Sequence, residues 1–111
     1  MSTLTVGVDV GGTNTRAGLV NEVGQIVGRA RCPTRLDLGS DAVVQGIADC
    51  VRGAISDGGP EPSEVGGVGV GSPGPLDPET GVIISPENLP CLRGVPLKAL
   101  LEAELGRTVA V

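Results

Sequence analysis

The sequence predicts an α/β domain with one mixed sheet, and three observations carry that prediction. Apolar residues alternate with period 2 in three successive runs before Pro33, with turn residues between the runs. Two later segments with helical spacing each lead into a short Val-containing run, the order expected when helices carry the chain between parallel strands. Finally, the 111 residues include no aromatic side chain and no His, so Val, Ile, Leu and Ala must build the core. A chain of this length makes one domain at most.

The first strand is the clearest element. Leu4, Val6, Val8 and Val10 alternate with Thr5, Gly7 and Asp9. It runs into Gly11-Gly12, a breaker pair that permits close backbone approach. Residues 15–20 return as a second strand, so this part reads strand, glycine turn, strand. Asn21-Glu22-Val23-Gly24 forms the next turn, and residues 25–32 the third strand. Ile26, Gly28, Ala30 and Cys32 share one face of it, and Gln25, Val27, Arg29 and Arg31 the other. Pro33, with no N–H for a ladder, ends it. The opening is an antiparallel meander.

Residues 36–39 connect to a helix expected over 42–56, with Ser40 or Asp41 as its N-cap. Val44, Ile47, Val51 and Ile55 make its apolar stripe, with Asp49, Arg52 and Ser56 off it. Gly46 and Gly53 each cost such a helix about 1 kcal/mol relative to Ala. They are either weak points or places where the helix lies close to the sheet. Gly58-Gly59-Pro60 stops it. Val65–Gly71 reads as a short buried strand parallel to the first. Residues 75–80 read as a turn-rich loop, 81–85 as a short strand and 86–93 as irregular. Pro96 suits N1 of a second helix ending near Leu105, with Gly106 beyond it and Leu97, Leu100, Leu101 and Leu105 facing inward. Residues 108–111 open a last strand, and the sequence ends inside it, as expected for a piece of a longer protein.

Composition narrows the partners. A net charge of -5 without a basic run argues against nucleic acid or an anionic membrane as partner. Without aromatic residues there is no platform on which bases stack. Without His, a His-based general base is excluded within this chain. Cys32, Cys50 and Cys91 are widely spaced and odd in number, which fits neither a disulfide framework nor a zinc site. The N-terminus carries no leader-like pattern and no apolar run reaches spanning length, so a cytoplasmic location is expected.

Two motifs carry chemistry. The turn after the first strand is built from Gly11, Gly12, Thr13 and Asn14. Such a turn presents backbone N–H groups and a hydroxyl to a phosphate with no side chain in the way. Asp9, at the strand end, is placed to hold a divalent ion or its water shell near that phosphate. The plainer alternative is an ordinary hairpin in which Gly-Gly supplies the turn and Asp9 caps it. It is not a Walker A loop, because no Gly-Lys-Ser/Thr follows and no helix opens there. The second motif, Gly69-Val70-Gly71-Ser72-Pro73-Gly74, satisfies the dinucleotide spacing G-x-G-x-x-G. That fingerprint requires a helix at the glycines, and Pro73 and Pro75 forbid one.

Asp9-x-Gly11-Gly12-Thr13-Asn14-x-Arg16 resembles the first phosphate motif of the ROK family of sugar kinases, part of the actin, Hsp70 and hexokinase superfold. Gly69-Val70-Gly71-Ser72-Pro73-Gly74-Pro75 and Ser85-Pro86-Glu87-Asn88-Leu89-Pro90 are similar to further ROK segments, in the family's order and at similar spacing. The resemblance runs from Leu4 to Val111. It implies an actin-like, ribonuclease H-like lobe with a mixed sheet and flanking helices, in which residues 1–111 form the N-terminal lobe of a glucokinase-like enzyme.

By the same resemblance, Asp9, Gly11, Gly12 and Thr13 lie near the terminal phosphates of ATP, with Asn14 beside them. Arg16 is open to either a phosphate or a carboxylate partner. Ser72, Pro73 and Gly74 correspond to the family's sugar-side loop, and Asn88 to a sugar contact. An amide has the donors and acceptors that a sugar's hydroxyls require, although a lone loop Asn also suits an Asx turn. In the family an Asn-Asp pair after the strand beginning at Thr108 supplies the general base, so no catalytic base is expected in this chain. The family's Cys/His zinc cluster has no counterpart here.

The implied function is phosphoryl transfer from ATP, with Mg²⁺, to a hexose hydroxyl by the full-length protein; the implied partners are a small-molecule sugar and a nucleotide, and the implied assembly is a homo-oligomer. Residues 1–111 alone are expected to be inactive. A ROK-type sugar-sensing repressor and a non-catalytic actin-fold nucleotide-binding module are the alternatives. The first carries a helix-turn-helix ahead of the first strand, where this chain has Met1-Ser2-Thr3. The second lacks the Pro-Gly-Pro loop followed by Asn88.

Overall fold

Every second side chain of β1 (Leu4–Val10) enters the core: Val6, Val8 and Val10 are buried, while Thr5, Gly7 and Asp9 lie on the opposite, exposed face. The computed structural model describes residues 4–11, 13–60, 64–71, 76–77, 82–83 and 94–111, with backbone alone for 36, 76, 77, 82 and 83. β2 (Asn14–Val20) returns antiparallel to β1, and β3 (Ile26–Pro33) completes the meander. The Asn21 carboxamide oxygen accepts the N–H groups of Val23 and Gln25, closing the β2–β3 turn as its composition predicts. β3 includes Pro33, which an edge strand tolerates.

A single 3-10 turn (Leu36–Leu38) leads into α1 (Ser40–Gly58). The helix starts earlier than its apolar stripe suggests. Gly39 occupies the N-cap without a side-chain bond, so neither Ser40 nor Asp41 caps it; both lie in the first turn. Asp41 there still suits the positive end of the helix dipole. The C-terminus behaves as expected: Gly59 adopts a left-handed φ of 76° and its N–H donates to the Ile55 carbonyl at 3.0 Å. The buried stripe is wider than four residues, comprising Val43, Val44, Ile47, Ala48, Cys50, Val51 and Ala54, with Ile55 half-buried.

The chain then enters β4 (Val65–Gly71), which pairs parallel to β1, as the intervening helix predicts. β5 (Leu76–Asp77) and β6 (Val82–Ile83) form a separate two-residue antiparallel ladder. Leu76 and Asp77 thus belong to a strand rather than a turn-rich loop; two residues between breakers carry too little pattern to reveal it. α2 (Leu97–Leu105) follows, with Pro96 at the N-cap rather than at N1. Leu97 and Leu101 are buried and Leu105 is half-buried, while Leu100 is 38% exposed and lies off the stripe. Gly106 ends α2 in the left-handed region, its N–H donating to the Glu102 carbonyl.

β7 (Thr108–Ala110) pairs parallel to β4, giving a sheet of order β3-β2-β1-β4-β7. Both helices contribute to one core against Val6, Val8, Val10, Val68, Val70 and Val109. On the opposite face, register aligns Gly18, Gly7 and Gly69 across three adjacent strands. This side-chain-free row floors a groove of about 850 Å³, rimmed by Ile26, Arg29 and Arg31.

Candidate phosphate site at the end of the first strand

Parallel pairing of β1 with β4 sets Asp9 beside Gly71. Both lie at the carboxyl ends of adjacent strands, the end of an open α/β sheet at which ligands bind. The glycine turn follows β1 directly and residues 72–75 follow β4, so two motifs far apart in sequence start from one edge. Register also places Arg16 opposite Asp9 and Arg31 opposite Arg16. Two guanidinium groups therefore share a cross-strand row with the carboxylate. Arg31 was marked by the sequence only as a residue on one face of a strand. Asp9, Arg16 and Arg31 are all exposed, and among the described residues no ion pair joins Asp9 to Arg16.

The turn itself is tightly closed. The Gly11 N–H donates to the Asn14 carbonyl at 2.9 Å. A Cβ on Gly11 would sit 2.7 Å from that same oxygen, so a side chain there must displace the turn. The Gly11 N–H is thus engaged inside the turn and does not face a ligand, which narrows the expectation that the turn's amides are open to one. Thr13 is exposed and Asn14 half-buried. Gly12, Ser72, Pro73, Gly74 and Asn88 lie outside the described residues, as does Cys91.

Thr34, just past β3, escaped sequence reasoning and holds the turn from behind. Its N–H donates to the Thr13 carbonyl at 2.9 Å, and its Oγ1 donates to the Gly11 carbonyl at 2.7 Å. Thr15 Oγ1 lies 3.1 Å from Thr34 Oγ1, and both residues are buried. A hydroxyl has one proton, so with Thr34 donating to Gly11 the shared bond must be donated by Thr15. The contacts span 19 and 23 residues of sequence, and no local periodicity announces such a pair.

Behind Thr15, the Cys50 thiol donates to the Thr15 carbonyl at 3.5 Å. Burial, with the neighbouring Cys32 adding to it, pushes the Cys50 thiol up to about 12. It stays protonated at neutral pH and acts as a donor rather than a nucleophile.

Among the described residues no group of three or more His, Cys, Asp or Glu side chains is placed to bind a metal. A lone exposed carboxylate beside the turn nonetheless fits Mg²⁺, which keeps several waters and takes one or two carboxylates plus phosphate oxygens. No described helix is long and apolar enough to cross a membrane.

The sheet order, the glycine turn at the end of β1 and the helices on one face define an actin-like, ribonuclease H-like lobe. The chain belongs to the ROK family, whose model matches residues 5–111. It is 36% identical over 104 residues to a glucokinase from Thermotoga maritima, covering 94% of this chain and 31% of that protein. It is 36% identical over 105 residues to an N-acetyl-D-glucosamine kinase from Vibrio parahaemolyticus, covering 95% of this chain and 33% of that protein. Among solved structures, it superposes on a ROK family glucokinase from Streptomyces griseus, in complex with glucose and AMPPNP, with a TM-score of 0.85 and 33% identity. That match covers 97% of this chain and 32% of the glucokinase. The chain thus spans about a third of the length of these relatives.

Proposed function

We propose that residues 1–111 form the N-terminal lobe of a ROK hexose kinase, which transfers the terminal phosphoryl group of ATP to a hydroxyl of a glucose-like sugar. The observation that carries this reading is the Asp9–Gly71 pairing, which starts the phosphate turn and the 72–75 segment from one sheet edge. Its support from outside the chain is likeness to proteins named as glucokinases, one of them in complex with glucose and AMPPNP. The relatives named above are all kinases, so the sensing-only alternative gains no support from them.

In this reading Gly11, Gly12, Thr13 and Asn14 surround the terminal phosphates, with Arg16 on the same row as Asp9. Ser72, Pro73, Gly74 and Asn88 contact the sugar. Asp9 holds Mg²⁺ through water; when bound, the ion neutralises charge on the transferred phosphoryl group. Phosphoryl transfer is chiefly positioning and charge stabilisation, and this lobe supplies both at the donor end. The general base comes from outside residues 1–111. The reading also places the protein in the cytoplasm, as a homo-oligomer.

The test is a coupled assay of the full-length protein with Mg²⁺·ATP and a panel of hexoses. Sugar-dependent ADP formation with glucose or a close analogue is expected. Nucleotide binding without turnover on any hexose would overturn the enzymatic reading.

A further inference from the structure

The Thr34 hydroxyl is the one side-chain donor described on the turn's backbone, and it is reached through a second buried hydroxyl. We infer that Thr34 is a positioning residue for the phosphate turn: it sets the conformation in which Thr13 and Asn14 meet the donor phosphates, without touching the ligand itself. The inference rests on the function proposed above and adds to it a residue outside the glycine motif.

Three features argue for it. Thr34 grips the turn at two points, N–H to the Thr13 carbonyl and hydroxyl to the Gly11 carbonyl, and so constrains both of those residues. Thr34 is 1% exposed, so its hydroxyl is shielded from solvent and satisfied by protein groups. The Thr15 hydroxyl fixes the direction of the Thr34 proton: Thr15 donates to Thr34 Oγ1, which accepts that bond and keeps its own proton for the Gly11 carbonyl. Thr15 is in turn paired with Val10, the last residue before the turn, so the relay and the hairpin share one framework. A turn held this way is preorganised, and ligand binding does not have to order it.

The variants are Thr34→Val, which keeps the branched shape and removes the hydroxyl, and Thr34→Ser, which restores it. Both are made in the full-length protein, and three quantities are read: exchange of the Gly11 amide hydrogen, KM for Mg²⁺·ATP and KM for the sugar. For Thr34→Val we expect Gly11 exchange about 10-fold faster and KM for ATP about 10-fold higher, with KM for the sugar within about twofold of wild type. Thr34→Ser should recover most of both losses. A Thr34→Val protein that melts at lower temperature but keeps its KM for ATP would reduce Thr34 to a structural role and overturn the inference. Equal rises in both KM values would do the same. If the wild-type protein binds no Mg²⁺·ATP and no inorganic triphosphate, the phosphate-site reading fails and this role falls with it, whatever the exchange data show.

Discussion

Gly28 of β3 and Ala54 of α1 meet backbone to backbone. A Cβ on Gly28 would overlap the Ala54 carbonyl oxygen and crowd the Gly58 amide as well. At Gly28, α1 therefore rests on β3 with no side chain between them, and the Asp57 carboxylate accepts the Arg29 backbone N–H at 2.9 Å just beside the contact. Gly28→Ala must push α1 off the sheet. The expected cost is about 2–3 kcal/mol, typical of overpacking against atoms that cannot yield. Urea unfolding monitored by far-UV circular dichroism measures it; a loss below about 0.5 kcal/mol would show that α1 does not sit this close.

Gly46 is the contrasting case on the same helix. A Cβ there meets only the Pro33 carbonyl at 3.8 Å, an ordinary contact. Gly46→Ala should then stabilise the protein by about 0.5–1 kcal/mol, through helix propensity and a less flexible unfolded chain. Gly53, whose Cβ would lie 3.1 Å from that of Ala30, has no such freedom. The two sequence readings of these glycines thus divide: Gly53 is a close approach and Gly46 a weak point. The same unfolding experiment checks it, and a destabilised Gly46→Ala would refute the assignment.

Stability should also depend on pH through Cys50. Its thiol is raised from 9.0 to about 12, first by burial, so the folded state keeps a proton that the unfolded chain releases. The contribution is complete below pH 9 and is lost as pH rises towards 12. Cys50→Ser does not titrate in this window and keeps a donor for the Thr15 carbonyl. Its melting temperature should fall less steeply across that range than that of wild type. Parallel curves for the two proteins would remove Cys50 from the alkaline transition.

How much was legible follows from where the information lies. β1, β4 and both helix C-termini declare themselves through alternation and left-handed glycines, all local signals. The N-terminus of α1 does not, because Gly39 caps it without a side chain and the Val43 N–H finds the Gly39 carbonyl directly. The glycine turn was readable as a motif, and the partner of its Gly11 N–H was not. Thr34 was invisible for the same reason: its bond to Gly11 depends on β3 folding back against the turn through β2. Arg31 reached the row of Asp9 through two successive strand pairings, neither of which a single segment encodes.

At the sugar end, Asn88→Ala in the full-length protein should raise KM for the sugar by roughly 5- to 150-fold, the value of one or two lost hydrogen bonds. KM for ATP should change little, since the proposed phosphate contacts lie on the turn after β1. Steady-state kinetics with each substrate varied in turn decides the matter. Comparable rises for both substrates would assign Asn88 to folding rather than to sugar recognition.

The central claim is that the edge at Asp9 handles the phosphate end of the reaction, and turnover of Asp9→Asn in the full-length protein tests it most directly. The substitution keeps the size and exposure of the side chain and removes its charge. If Asp9 acts through Mg²⁺ on charge that develops during transfer, kcat should fall at least about 100-fold while KM for the sugar stays near wild type. Near-wild-type kcat in a protein with an unchanged melting temperature would contradict the account.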